Sequence, residues 1–155
     1  MLRSDILREM SNIILRHERW LKRMDHLTSG LPVDQQLVNI EKTLYFYASW
    51  LNNKNCKLRT SYHTNPLVEQ IEHHYNELNK FYTEIDNLYF ILPKNRNFLH
   101  IITTFNKQKL TAVEAMKARQ YFQNILESSN TIFTLFHQLK EQSKYISYYD
   151  ELIKP

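Results

Sequence analysis

At 155 residues and 18.8 kDa the chain is long enough for one domain with its own buried core and too short for a multi-domain machine. Hydrophobic residues make up 43% and charged residues 23%, so the chain should fold, and a single glycine with four prolines cannot supply the turns of a β-sandwich or a glycine-rich phosphate loop. Twenty basic against sixteen acidic side chains give a net charge of +4, with basic and acidic residues interspersed, which argues against a nucleic-acid stripe.

The first predicted helix runs from Ser4 to Thr28. Met10, Ile13, Trp20, Met24 and Leu27 recur at steps of three and four, and the one gap in that seam is filled by His17. Ser4 with Asp5 reads as its N-terminal cap, and Ser29-Gly30-Leu31-Pro32 as its stop. A second helix is expected from about Val33 to Leu51, carried by Leu37, Ile40, Leu44, Tyr47 and Leu51 and ended by Asn52-Asn53-Lys54-Asn55. A third begins near Asn65-Pro66, with Leu67, Ile71, His74, Leu78, Phe81, Ile85, Leu88 and Leu92 as its apolar seam, and stops at Pro93. A short helix around Phe98 to Phe105 follows. The last helix opens at Thr111, with Glu114 in capping-box position, and carries Val113, Met116, Phe122, Leu126, Phe133, Phe136 and Leu139 toward Leu152.

Four long amphipathic segments joined by short polar breaks predict an all-α domain spanning residues 1–155, an antiparallel four-helix bundle with one additional short helix. Tyr and Phe contribute 18 residues, more than such seams need, and the mundane use of the surplus is a homodimer interface. The chain has no run of about eighteen apolar residues and no secretory leader, so no membrane partner is expected, and a lone Cys56 suits a reducing cytoplasm. Cys56 has no histidine placed beside it by spacing, so no nucleophilic enzyme is predicted.

Histidine on a core seam is uncommon, because a buried imidazole needs a partner for at least one ring nitrogen. The seams place His17 and His74 there, and His73 lies beside His74 with Glu77 four residues on, the spacing that projects two ligands from one helix face. His17 and the third-helix group are thus candidates either for a metal site or for a core histidine bonded to a Tyr hydroxyl or Asn. Hemerythrin-like di-iron chemistry is excluded, since neither His100 nor His137 supplies the later ligand motifs.

His17-Glu18-Arg19-Trp20-Leu21, then Tyr45-Phe46-Tyr47-Ala48-Ser49-Trp50-Leu51, then His73 is similar in order and spacing to the motifs of the chemoreceptor zinc-binding (CZB) domain family. The likeness extends through Leu27-Thr28-Ser29-Gly30 with Val33-Asp34 and the segment Ala118 to Leu139 with Ser128 and Ser129, about residues 10 to 140 in all. The resemblance implies a cytoplasmic, dimeric four-helix sensor that binds zinc through three His and one Cys. It further implies an attached output domain under its control, such as a chemoreceptor signalling domain or a diguanylate cyclase of c-di-GMP signalling, with this chain as the N-terminal sensor part. Residue by residue, His17 matches the first ligand and His73 the third-helix ligand, while Tyr45 stands in the Cys position, Ala48 in the Gly position and Glu77 in that of the last His. A register shifted by one would place His74 and Leu78 there instead. Replacing thiolate by phenol removes the ligand that favours zinc, leaving His17, His73 and Glu77, with Tyr45 or water, as a set compatible with zinc, with iron or manganese, or with a hydrogen-bonded cluster that holds no metal. The alternative function is a stand-alone helical module that binds another helical protein.

Overall fold

The computed structural model describes residues 3–43, 65–92 and 110–152, and these residues are helical with no strand among them. Helix α1 spans Arg3–Thr28, two single turns α2 and α3 span Gln35–Val38 and Ile40–Thr43, α4 spans Asn65–Asp86 and runs on as a π-helical turn Asn87–Ile91, and α5 spans Ala112–Leu152. The expected short helix around Phe98 to Phe105, and residues 44–51 of the expected second helix, lie outside the described residues.

Three seams make the core. On α1 the buried stripe is Met10, Ile13, His17, Trp20, Met24 and Leu27, the predicted one with histidine in its middle, and Thr28 is buried beside its end. On α5 Ala118, Phe122, Ile125, Ser129, Ile132, Phe136, Leu139 and Ser143 are buried at unbroken steps of four and three. On α4 the buried stripe is Val68, Ile71, Tyr75, Leu78, Tyr82, Ile85 and Tyr89. It shares Ile71, Leu78 and Ile85 with the predicted one, but Val68, Tyr75, Tyr82 and Tyr89 replace Leu67, His74, Phe81 and Leu88. Both stripes are apolar or aromatic, and burial of the tyrosines turns the helix about the shared row by roughly half of one residue's rotation, about 50°.

Cross-helix contacts fix the directions. Arg119 near the start of α5 reaches Asp25, Thr28 and Ser29 at the end of α1, and Lys140 reaches Ser11, so α1 and α5 are antiparallel. Phe81 meets Tyr121, while Pro66 and Leu67 face Thr134, His137 and Gln138 across a groove, so α4 and α5 are antiparallel as well. Helices α1 and α4 therefore run the same way, with Trp20 against Tyr82.

The stop of α1 is built as the sequence indicates. Gly30 takes φ +87°, its N–H donates to Leu27 O at 3.1 Å, and the Leu31 N–H donates to His26 O at 3.0 Å, the paired bonds of a Schellman motif. At the other end α1 already includes Ser4 as a helical residue, so the expected cap there is not formed by that residue. The expected continuous helix from Val33 is corrected too. Asp34 caps α2 through the Gln36 N–H at 3.0 Å, the chain opens at Asn39 (ψ 117°), and Val38 and Ile40 are buried while Leu37 is 49% exposed. The Trp20 indole N–H donates to Val38 O at 2.8 Å and Arg23 to Leu37 O at 3.1 Å, so these carbonyls, freed from the helix ladder, tie the turn to α1. The capping box of α5 forms in both directions: the Thr111 N–H donates to Glu114 at 3.0 Å, and the Glu114 N–H donates to Thr111 Oγ1 at 3.2 Å. Val113 and Met116, expected in the core, are instead 63% and 73% exposed, because the α5 seam begins at Ala118.

Nothing lies within 4 Å of a Cβ built on Gly30, so a side chain there meets only the backbone penalty of its left-handed conformation. Gly30→Ala is expected to cost about 1 kcal/mol, a drop of roughly 2–4 °C in Tm for a domain of this size. Calorimetry checks this, and an unchanged Tm would contradict the capping role.

Candidate functional site

His17 stands where the three long helices meet. Its ring has no exposed surface, and both nitrogens are engaged: Nδ1 lies 3.2 Å from the Tyr75 hydroxyl on α4, and Nε2 lies 2.8 Å from Ser129 Oγ on α5. A neutral imidazole donates from one nitrogen and accepts at the other, and each hydroxyl can take either complementary part. The faces of the ring are closed by aromatic groups, Phe133 with centroids 4.7 Å away and Trp20 at 5.9 Å, both edge-to-face.

Burial governs the electrostatics of this group. Desolvation lowers the His17 pKa from its ordinary 6.5 to about 3, so the ring is neutral throughout the physiological range. Nearby, Tyr82 is pushed up to about 12, first by burial and then by the Asp86 carboxylate, to which its hydroxyl donates at 3.5 Å. Gln35 donates to the same carboxylate at 3.4 Å, which fastens the start of α2 to α4.

Of the other sequence-predicted residues, those on α4 do not join His17. On α4, His73 is exposed, and its position two residues from Tyr75 turns it about 200° away from the residue that meets His17. Glu77 bonds Lys80 at 2.7 Å on the open side of the helix, and that bond, followed by the Lys80 charge, lowers its pKa. His74 is half-buried, with its ring 5.4 Å from that of His73. Among the described residues no three His, Cys, Asp or Glu side chains gather into a group that could hold a metal. The expected convergence of His17 with the His73–Glu77 pair is therefore corrected: the α4 register that buries Tyr75 carries that pair outward. Tyr45 and Ala48 lie outside the described residues.

The Ser129–His17 pair has the separation of a serine and its general base, yet its surroundings oppose that chemistry. Neither side chain has exposed surface for a substrate to reach, and a ring with a pKa near 3 is a poor base at neutral pH. What the arrangement does is join α1, α4 and α5 through one ring. Of its two partners, a Tyr hydroxyl is the kind of neighbour expected for a core histidine; Ser129 is the one missed, although a serine between apolar residues in the middle of a heptad seam is a readable sign of a buried partner.

No protein-family model, no curated protein and no solved structure matches the chain.

Removing either hydroxyl strands a buried ring nitrogen. Tyr75→Phe and Ser129→Ala should each cost about 1–3 kcal/mol in urea unfolding; a loss below a few tenths for both would show that the bonds contribute nothing. The pH dependence follows from proton uptake. Below about 6.5 the unfolded chain binds a proton on this imidazole while the folded chain does not until about pH 3, so acid favours unfolding. Between pH 7 and pH 5 the wild type should lose about 2 kcal/mol more stability than His17→Gln, which has no titrating ring. Equal losses in the two proteins would contradict a neutral, buried His17.

Proposed function

We propose that this chain is a non-enzymatic helical module that acts through protein–protein contact, with a second copy of itself as the first partner. The observation that carries this reading is the distribution of exposed apolar side chains. Leu31 after α1, Leu37 in α2, Ile91 and Leu92 at the end of α4, and Val113 and Met116 at the start of α5 are 40% to 73% exposed. The helix directions bring these four segments to one end of the molecule, where exposed apolar side chains are the usual character of an association site. The His17 cluster in this reading is structural. The architecture we infer is an antiparallel four-helix bundle: parallel α1 and α4 with antiparallel α5 leave room in that pattern for one more antiparallel rod.

The CZB resemblance supports a regulatory form of the same module, in which a bound signal alters the packing around His17 and thereby a linked output domain. One observation favours it: His17, the residue matching the family's first ligand, contacts both other long helices, so a change at this ring acts on all three. Zinc or another divalent ion at His17 would have to displace Tyr75 or Ser129. Metal analysis with thermal melts in zinc, manganese and chelator separates the two forms. Stoichiometric metal, with a shift abolished in His17→Ala, supports the sensor; no metal and no shift leaves contact alone.

For association itself, sedimentation velocity should find the wild type dimeric and Val113→Lys/Met116→Glu monomeric, with the variant still folded and its melting temperature independent of concentration. A monomeric wild type at high micromolar concentration, or a double variant that associates equally well, would refute the self-contact.

A further inference from the structure

The regular seam of α4, at steps of three and four from Val68 through Ile85 and Tyr89, calls for Leu92 as its next buried member. The structure does otherwise. From Asn87 to Ile91 the helix widens to a π turn, closed by the Leu92 N–H donating to Asn87 O, five residues back. The extra residue in that turn holds back the following side chains by about one residue's rotation, roughly 100°. Phe90 is thereby drawn into the core at 9% exposure, and Leu92 is left 40% exposed beside Ile91.

We propose that the last turn of α4 is a two-register element, exchanging between this π register with Phe90 inside and an α register in which Leu92 replaces Phe90 in the core. Each register buries one of these two large apolar side chains at the end of the seam, about half a turn apart along the helix, and exposes the other. In the α register the Leu92 N–H donates to Leu88 O, so both states satisfy that backbone donor. The preceding seam, including Tyr82 and Ile85, is common to both, so the change begins at this turn. The turn lies at the apolar end of the molecule, so the exchange swaps an exposed leucine for an exposed phenylalanine there. Register shifts of helices occur on the microsecond-to-millisecond timescale and π turns are frequent at functional sites, which suits a conformational device.

Relaxation dispersion and saturation-transfer NMR on the full chain test this. The wild type should show exchange at the amides of residues 87–92 and at the Leu92 methyls, with Leu78 and Ile71 quiet. Leu92→Lys, a change at an exposed position, should hold the π register and quench the exchange, whereas Phe90→Lys should move the same resonances to the minor-state shifts extracted from the wild type. Flat profiles in the wild type, or exchange that survives unaltered in Leu92→Lys, would overturn the proposal; the Leu92 variant decides even where Phe90→Lys unfolds the turn.

Discussion

The packing of this protein turns on an imidazole that is buried without charge. A histidine with no exposed surface is tolerable only when both ring nitrogens are paired, and here the pairs come from two different helices. That requirement restricts how the helices rotate. Helix α4 must present Tyr75 and α5 must present Ser129, and each helix's seam is then set along its length by the three–four repeat. Polar specification of this sort distinguishes one rotation from its neighbours, where an apolar core alone would accept several.

Helix α4 makes the point directly. Two adjacent stripes compete there, one through Leu67, His74, Phe81 and Leu88 and one through Val68, Tyr75, Tyr82 and Tyr89. By apolar periodicity they are nearly equivalent, and the first is the more hydrophobic to the eye. The second wins because its tyrosines bring hydroxyls with partners: Tyr75 to His17 and Tyr82 to Asp86. The choice also decides the fate of His73 and Glu77, which the winning rotation turns away from the His17 ring.

Much of the fold was legible from residue order alone. The α1 seam, its stop at Gly30, the start of α4 at Asn65-Pro66 and the Thr111–Glu114 box all rest on local signals, whose chemistry acts within one turn. The position of His17 inside the core was legible for the same reason. Less was legible where the outcome depends on distant partners. The break at Asn39 is compensated by Trp20 and Arg23 from another helix, and the exposure of Val113 and Met116 reflects where the α5 seam begins to meet its neighbours. The candidate site failed at the same level: an i, i+4 His–Glu pair says that two side chains share a face, but the face is assigned by tertiary packing.

The central claim is that His17 is a neutral ring locked between two hydroxyls, and the long-range nitrogen–proton NMR spectrum of its imidazole tests that claim most directly. The account predicts one neutral tautomer whose ring nitrogen shifts do not move between pH 8 and about pH 5, with Tyr75→Phe and Ser129→Ala each perturbing the shift of the nitrogen it contacts. A ring that titrates near its ordinary value of 6.5, or that interconverts freely between tautomers, would contradict it.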